Sequence, residues 1–146
     1  MKEQFLLYIY TMKKVDLTCI IDDDPIFVFG AKRVMQLSNF CNGFLIFNHG
    51  KDALNHLKPI MEEDSTEAFP DVILLDLNMP VMDGWQFLDE FIKIKTTKKV
   101  TIYIVSSSIN PMDFEKSQKY SQVKNFVIKP ISEDKIKFIM NDLTSE

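Results

Sequence analysis

Five short apolar runs, each closed by a polar residue and each followed by a longer stretch of different periodicity, restrict this chain more than any other feature. The runs cover residues 17–21, 44–47, 72–75, 100–105 and 126–128. Near-continuous apolar character over a few residues suits a strand buried on both faces, as in a parallel sheet. The intervening stretches read as helices. Asp24-Pro25 is an N-cap followed by proline at the first helical position, and Ile26, Phe29, Val34 and Leu37 supply an apolar face. Asn42-Gly43 breaks the chain before the second strand, and His49-Gly50 is a turn. Ala53, Leu54, Leu57, Ile60 and Met61 recur at helical spacing, with Pro59 placing the end of that helix in question. Residues 62–68 form an acidic loop. Trp85, Leu88, Phe91 and Ile92 mark a third helix. Asn110-Pro111 opens a fourth, running to about Tyr120, and Ser132 caps a fifth with Ile136, Ile139, Met140 and Leu143 inward. Strictly alternating strands and helices predict an α/β fold, a doubly wound five-stranded parallel sheet with helices on both faces.

At 146 residues the chain suits a single domain. Residues 14–146 are assigned to it, and residues 1–13 form an N-terminal extension. The apolar stretch Phe5 to Tyr10 is too short to span a bilayer, so no membrane insertion is expected. A net charge of −4, with 17 basic against 21 acidic residues, argues against nucleic acid as a partner. The local excess at Lys93, Lys95, Lys98 and Lys99 reads as a solvated helix end. Two cysteines, Cys19 and Cys41, with no C-x-x-C, give no disulfide framework and suit a reducing, cytoplasmic setting.

The polar residues that close the runs carry the chemistry. Asp22 and Asp23 follow the first strand, Asp76 the third, Ser106 the fourth and Lys129 the fifth. In a parallel sheet these are all carboxyl ends, and ligands of open α/β sheets bind outside that edge. Three carboxylates in one crevice repel, so either one holds its proton or a cation joins them. An all-oxygen set with no His/Cys cluster favours magnesium over zinc. A carboxylate can attack phosphorus to give an aspartyl-phosphate. Asp76 is placed as the nucleophile, with Lys129 pairing a phosphoryl oxygen and the Ser106 hydroxyl donating to another.

Four ordered segments now bear comparison with a known family: Cys19-Ile-Ile-Asp-Asp-Asp-Pro25, Asp76-Leu-Asn-Met-Pro-Val-Met-Asp-Gly84, Val105-Ser-Ser-Ser108 and Asn125-Phe-Val-Ile-Lys-Pro130. Together they resemble the receiver domains of two-component response regulators, over roughly residues 14–142. The resemblance implies the flavodoxin-like strand order 2-1-3-4-5. It implies Asp76 as phosphoacceptor, Asp23 as direct magnesium ligand with Asp22 acting largely through water, and the backbone carbonyl of Asn78 as a further ligand. It implies Ser106 and Phe126 as a switch pair, Ser107 as a small residue that lets phosphate approach, and a cis Lys129–Pro130 bond. The segment between the second and third strands is longer than a compact receiver needs.

The expected function is a single-domain regulator, since nothing follows Glu146. It would take phosphate from a sensor histidine kinase or phosphotransfer protein and signal to a downstream protein whose identity the sequence does not carry. It would catalyse only its own phosphorylation and dephosphorylation. The alternatives are a phosphorylation-independent binding module on the same fold and a hydrolase using an aspartyl-phosphate. Asn78, two residues after Asp76, cannot serve the hydrolase as general acid.

Overall fold

The computed structural model describes residues 15–63 and 67–145, so the extension at residues 1–13 and part of the expected acidic loop lie outside the described residues. Strands β1 (Val15–Ile21), β2 (Cys41–Phe47), β3 (Val72–Leu75), β4 (Thr101–Ser106) and β5 (Val123–Ile128) alternate with helices α1 (Pro25–Leu37), α2 (Gly50–Glu62), α3 (Gly84–Phe91), α4 (Pro111–Ser117) and α5 (Glu133–Thr144). All pairings are parallel, and the order across the sheet is β2-β1-β3-β4-β5. The α/β fold and its strand order are as expected.

Period-two alternation along strands that are apolar on both faces builds two cores. Cys19, Ile21, Ile73, Leu75, Ile102 and Ile104 pack beneath α2 and α3, against Leu57, Phe87 and Leu88. Ile20, Val72, Leu74, Tyr103 and Val105 face the other way, against Val28, Ala31 and Met35 of α1 and Ile136 and Ile139 of α5. The helix starts follow the local chemistry. The side chains of Asp24, Asp83, Asn110 and Ser132 accept backbone amides in the first turns of α1, α3, α4 and α5, and Asp83 with Gln86 completes a capping box.

Three expectations need correction, and the end of α2, left open, is settled. Helix α1 buries Val28, Ala31 and Met35, while Ile26, Phe29 and Leu37 face solvent. This helix is apolar nearly all round, so periodicity cannot choose between two stripes, and the stripe carrying the small Ala31 packs on the sheet. Asn42-Gly43 lies inside β2, in register with β1, because an outer strand tolerates such residues; the Asn42 amide donates to Asp16 Oδ1 at 2.7 Å. The turn comes earlier, at Asn39, whose φ is 53°. Helix α2 continues through Pro59 to Glu62, held by the buried Ile60 and Met61 beyond the proline. Helix α4 stops at Ser117 rather than near Tyr120, and its last turn closes with the Ser117 hydroxyl donating to the Phe114 carbonyl at 2.6 Å.

Among the described residues, one buried side-chain group lacks a partner. The Thr18 hydroxyl, fully buried on β1, makes no hydrogen bond. An orphaned buried hydroxyl costs about 1–3 kcal/mol. Replacing Thr18 with valine is therefore expected to raise the urea unfolding free energy by about 1 kcal/mol at unchanged m-value.

Candidate functional site

The ends of β1 and β3 are locked together by the backbone. The Asp22 amide donates to the Phe47 carbonyl and the Asp76 amide to the Ile21 carbonyl, both at 3.0 Å. These bonds continue the ladders one residue past the strands and bring the two carboxyl groups to the same edge. Asp22 and Asp76 are buried, at 2% and 6% exposure, while Asp23 beside them is open to solvent. Oxygens of Asp22, Asp23 and Asp76 lie within 4.8 Å of one another.

Lys129, at the end of β5, reaches across to this cluster. Its ammonium is 2.7 Å from Asp22 Oδ2 and 3.6 Å from Asp76 Oδ2. It also lies 4.2 Å from the centre of the Phe27 ring, a cation–π contact that closes one side of the pocket. The Lys129 amide donates to the Ser106 carbonyl at 2.9 Å, which ties the lysine to the serine that ends β4. The Lys129–Pro130 bond is cis.

The loop after β3 is shaped by a close approach. A methyl group on Gly84 would collide with the Asp76 carbonyl oxygen and lie 2.9 Å from Leu77 Cα. The Gly84 amide donates to the Leu77 carbonyl at 2.9 Å, so the start of α3 sits directly on the Asp76 backbone. Only glycine fits there. Within the same loop the Met82 amide donates to the Pro80 carbonyl at 2.7 Å, a γ-turn that holds Val81 at φ 69°. A β-branched residue in that region carries about 1–3 kcal/mol of strain.

Burial sets the electrostatics. Desolvation, with repulsion from Asp22, pushes the Asp76 carboxyl up to about 6, against the opposing pull of Lys129 and the Leu77 amide, which donates to Asp76 Oδ1 at 2.9 Å. Desolvation also raises Asp22, against its hydrogen bonds from Lys129 and from the Asp24 amide. Three carboxylates facing one ammonium leave a formal charge of −2. That deficit and the all-oxygen donor set suit a divalent hard cation, with Asp22, Asp23 and Asp76 as its holders. Asn78 lies on the loop two residues past Asp76, with its side chain exposed.

Ser106 is fully buried, and its Oγ accepts from the Ser108 amide at 3.1 Å, leaving its own proton available. Ser107 is exposed beside it. Phe126, half-buried, packs on the core and meets the Phe114 ring edge-on at 6.3 Å. Asp22, Asp23, Asp76 and Lys129 are thus brought into one cluster, and Ser106 is joined to it through the Lys129 backbone. The steric role of Gly84 was not among the expectations from sequence. A glycine following a capping aspartate was the available signal. Phe27 gave none.

Residues 18–141 match the family profile described as the response regulator receiver domain. A two-component response regulator from Cytophaga hutchinsonii superposes with a TM-score of 0.79 at 26% identity, over 91% of this chain and all of that one. The Mn(2+)-bound form of the response regulator Rcp1 gives a TM-score of 0.70 at 23% identity, over 86% and 90% of the two chains. The two-component response regulator ORR1 of Oryza sativa subsp. japonica is 24% identical over 84% of this chain, which spans about half (52%) of that relative's length.

The raised Asp76 carboxyl has a stability consequence with a definite sign. In metal-free solution the native state holds a proton that the unfolded chain has already lost, from the ordinary carboxylate range up to about 6. The stability this group provides is complete below that window and is lost as pH rises through it. In chelator, Asp76→Asn is expected to be more stable than the wild type at pH 7.5, by on the order of 1–3 kcal/mol. It should also flatten the decline between about pH 4 and 6. Urea unfolding of both proteins across that range is the check.

Proposed function

This chain belongs to the response regulator receiver domain family, and from that membership we propose that Asp76 accepts a phosphoryl group, with magnesium, from a phosphohistidine on a sensor kinase or phosphotransfer protein. The observation that carries the reading is a buried aspartate pair, Asp22 and Asp76, held at the carboxyl edge of a parallel sheet with the Lys129 ammonium bridging it. In the transfer an Asp76 carboxylate oxygen bonds to phosphorus as the P–N bond of the donor breaks, and the donor imidazole keeps the electron pair. Asp76 must be ionised to attack; burial raises its carboxyl in the metal-free pocket, and a divalent cation bound beside it would lower it again, favouring the attacking form. Lys129, already within 3.6 Å of Asp76 Oδ2, can follow the new negative charge outward, and the free proton on Ser106 can donate to a second phosphoryl oxygen. Asp22, Asp23, Asp76 and the Asn78 carbonyl would hold magnesium, which would supply positive charge to the phosphoryl oxygens. The solved relative Rcp1 in its Mn(2+)-bound form supports a divalent ion in this family.

The donor's approach has a natural landing surface. Ile26 and Phe29, at 83% and 71% exposure, stand on the first turns of α1, immediately after Asp22 and Asp23. Large apolar side chains left in water beside a reactive pocket suit a helical protein partner. The signal would leave by another face. Ser106 turning toward the phosphoryl group gives up the Ser108 amide, and Phe126 moves into the space released, altering the exposed apolar surface of Ile109, Met112, Phe114, Ile128 and Phe138. A downstream protein would read that surface.

Incubation with magnesium and acetyl phosphate is expected to add one phosphoryl mass to the intact protein, and none to Asp76→Asn. Unlabelled wild type, or equal labelling of the variant, would overturn the reading and favour a binding module. Separately, the double variant Ile26→Ser, Phe29→Ser should label normally with acetyl phosphate yet accept phosphate from its kinase at least about tenfold more slowly, a loss of about 1.4 kcal/mol.

A further inference from the structure

The phosphate-binding lysine is itself held by a second lysine. Lys135 is the third residue of α5, where the Ser132 side chain accepts its backbone amide. Its ammonium does not pair with the acidic residues of that turn, Glu133 and Asp134, among the described ion pairs. It turns back over the loop instead. It donates to the carbonyl of Ile128 and, at 2.9 Å, to the carbonyl of Pro130. These are the residues on either side of Lys129. The third constraint on Lys129 is its own amide, which donates to the Ser106 carbonyl at 2.9 Å.

A positive charge in the first turn of a helix opposes the helix dipole. A lysine here therefore needs compensation, and two carbonyl oxygens supply it. In return the backbone around Lys129 is fixed on both sides, and with it the direction in which the Lys129 side chain leaves toward Asp22 and Asp76. An ammonium on a long stem can sample many places; phosphoryl transfer rewards one that is already aimed.

We infer that Lys135 is a positioning residue for phosphoryl transfer, acting through Lys129 by clamping the Ile128 and Pro130 carbonyls. This rests on the reading of Asp76 as phosphoacceptor. It is distinct from a simple cap on β5, because the clamp embraces the residue that faces the phosphoryl group and leaves the metal ligands untouched.

Two measurements test it, on the full chain with Lys135→Met and the conservative Lys135→Arg. The first is the phosphorylation rate with acetyl phosphate, followed by intact mass. Lys135→Met should lower the maximal rate about tenfold, while the magnesium concentration at half-maximal rate changes less than about twofold. Lys135→Arg, which keeps two donors, should recover most of the loss. The second is amide hydrogen exchange in the absence of any donor. Lys135→Met should speed exchange of the Lys129 amide about tenfold or more and leave Ile104, in the middle of β4, unchanged. A wild-type maximal rate in Lys135→Met, or equal loss in Lys135→Arg, would overturn the positioning role. So would faster exchange spread evenly over the sheet, which marks general destabilisation. If the wild type takes no phosphate, the Asp76 reading fails, and the Lys129 exchange still decides whether the clamp exists.

Discussion

One ammonium facing three carboxylates is the constraint on which this structure turns. Lys129 sits 2.7 Å from Asp22 and 3.6 Å from Asp76, inside a pocket that has removed both carboxyl groups from water. A buried pair with good geometry can offset its desolvation, but a third acid leaves the account short. Burial dominates over the lysine for Asp76, whose carboxyl rises to about 6. The mutual repulsion of the three carboxylates exceeds what one ammonium can offset, and the deficit suits a ligand of charge +2. The two backbone bonds that carry Asp22 and Asp76 past the strand ends, and the glycine that lets α3 sit on the Asp76 carbonyl, serve to create that arrangement.

The same lysine ties the chemistry to the rest of the molecule. Its amide is bonded to the residue that ends β4, its flanking carbonyls are bonded to α5, and its ammonium lies against Phe27 of α1. Ser106 leads by a separate route to α4. Its Oγ accepts from the Ser108 amide, and the Ser108 hydroxyl donates to Asp113 at 2.6 Å, within the first turn of that helix. Phe114, the next residue, meets the ring of Phe126. A local change of charge at Asp76 thus has short mechanical paths to α4 and α5, whose outer surfaces carry apolar side chains.

The fold was legible because strands buried on both faces leave a strong mark, and because caps and prolines punctuated the helices correctly at Asp24, Asn110 and Ser132. The site was legible for a related reason. A parallel sheet gathers its carboxyl ends, so Asp22, Asp76, Ser106 and Lys129 could be brought together without knowing a single distance. What the sequence could not show depended on packing between elements. Which stripe of α1 faces the sheet was undecidable from periodicity, since Ile26 and Phe29 are as apolar as Val28 and Met35. Pro59 left the end of α2 open, and the burial of Ile60 and Met61 beyond it decides for continuation to Glu62. The contact of Phe27 with Lys129 and the reach of Lys135 over the loop are products of side-chain direction, which spacing does not encode.

If a divalent cation relieves the unbalanced charge of the acidic pocket, the unfolding free energy of the wild type as magnesium is titrated at pH 7.5 shows it most directly. Binding to the native pocket should raise stability continuously with the logarithm of magnesium, reaching about 2.7 kcal/mol at a hundredfold excess over the dissociation constant. The rise should shrink sharply in Asp76→Asn, where the charge deficit is partly removed. An unfolding curve that is the same in chelator and in millimolar magnesium would contradict the account.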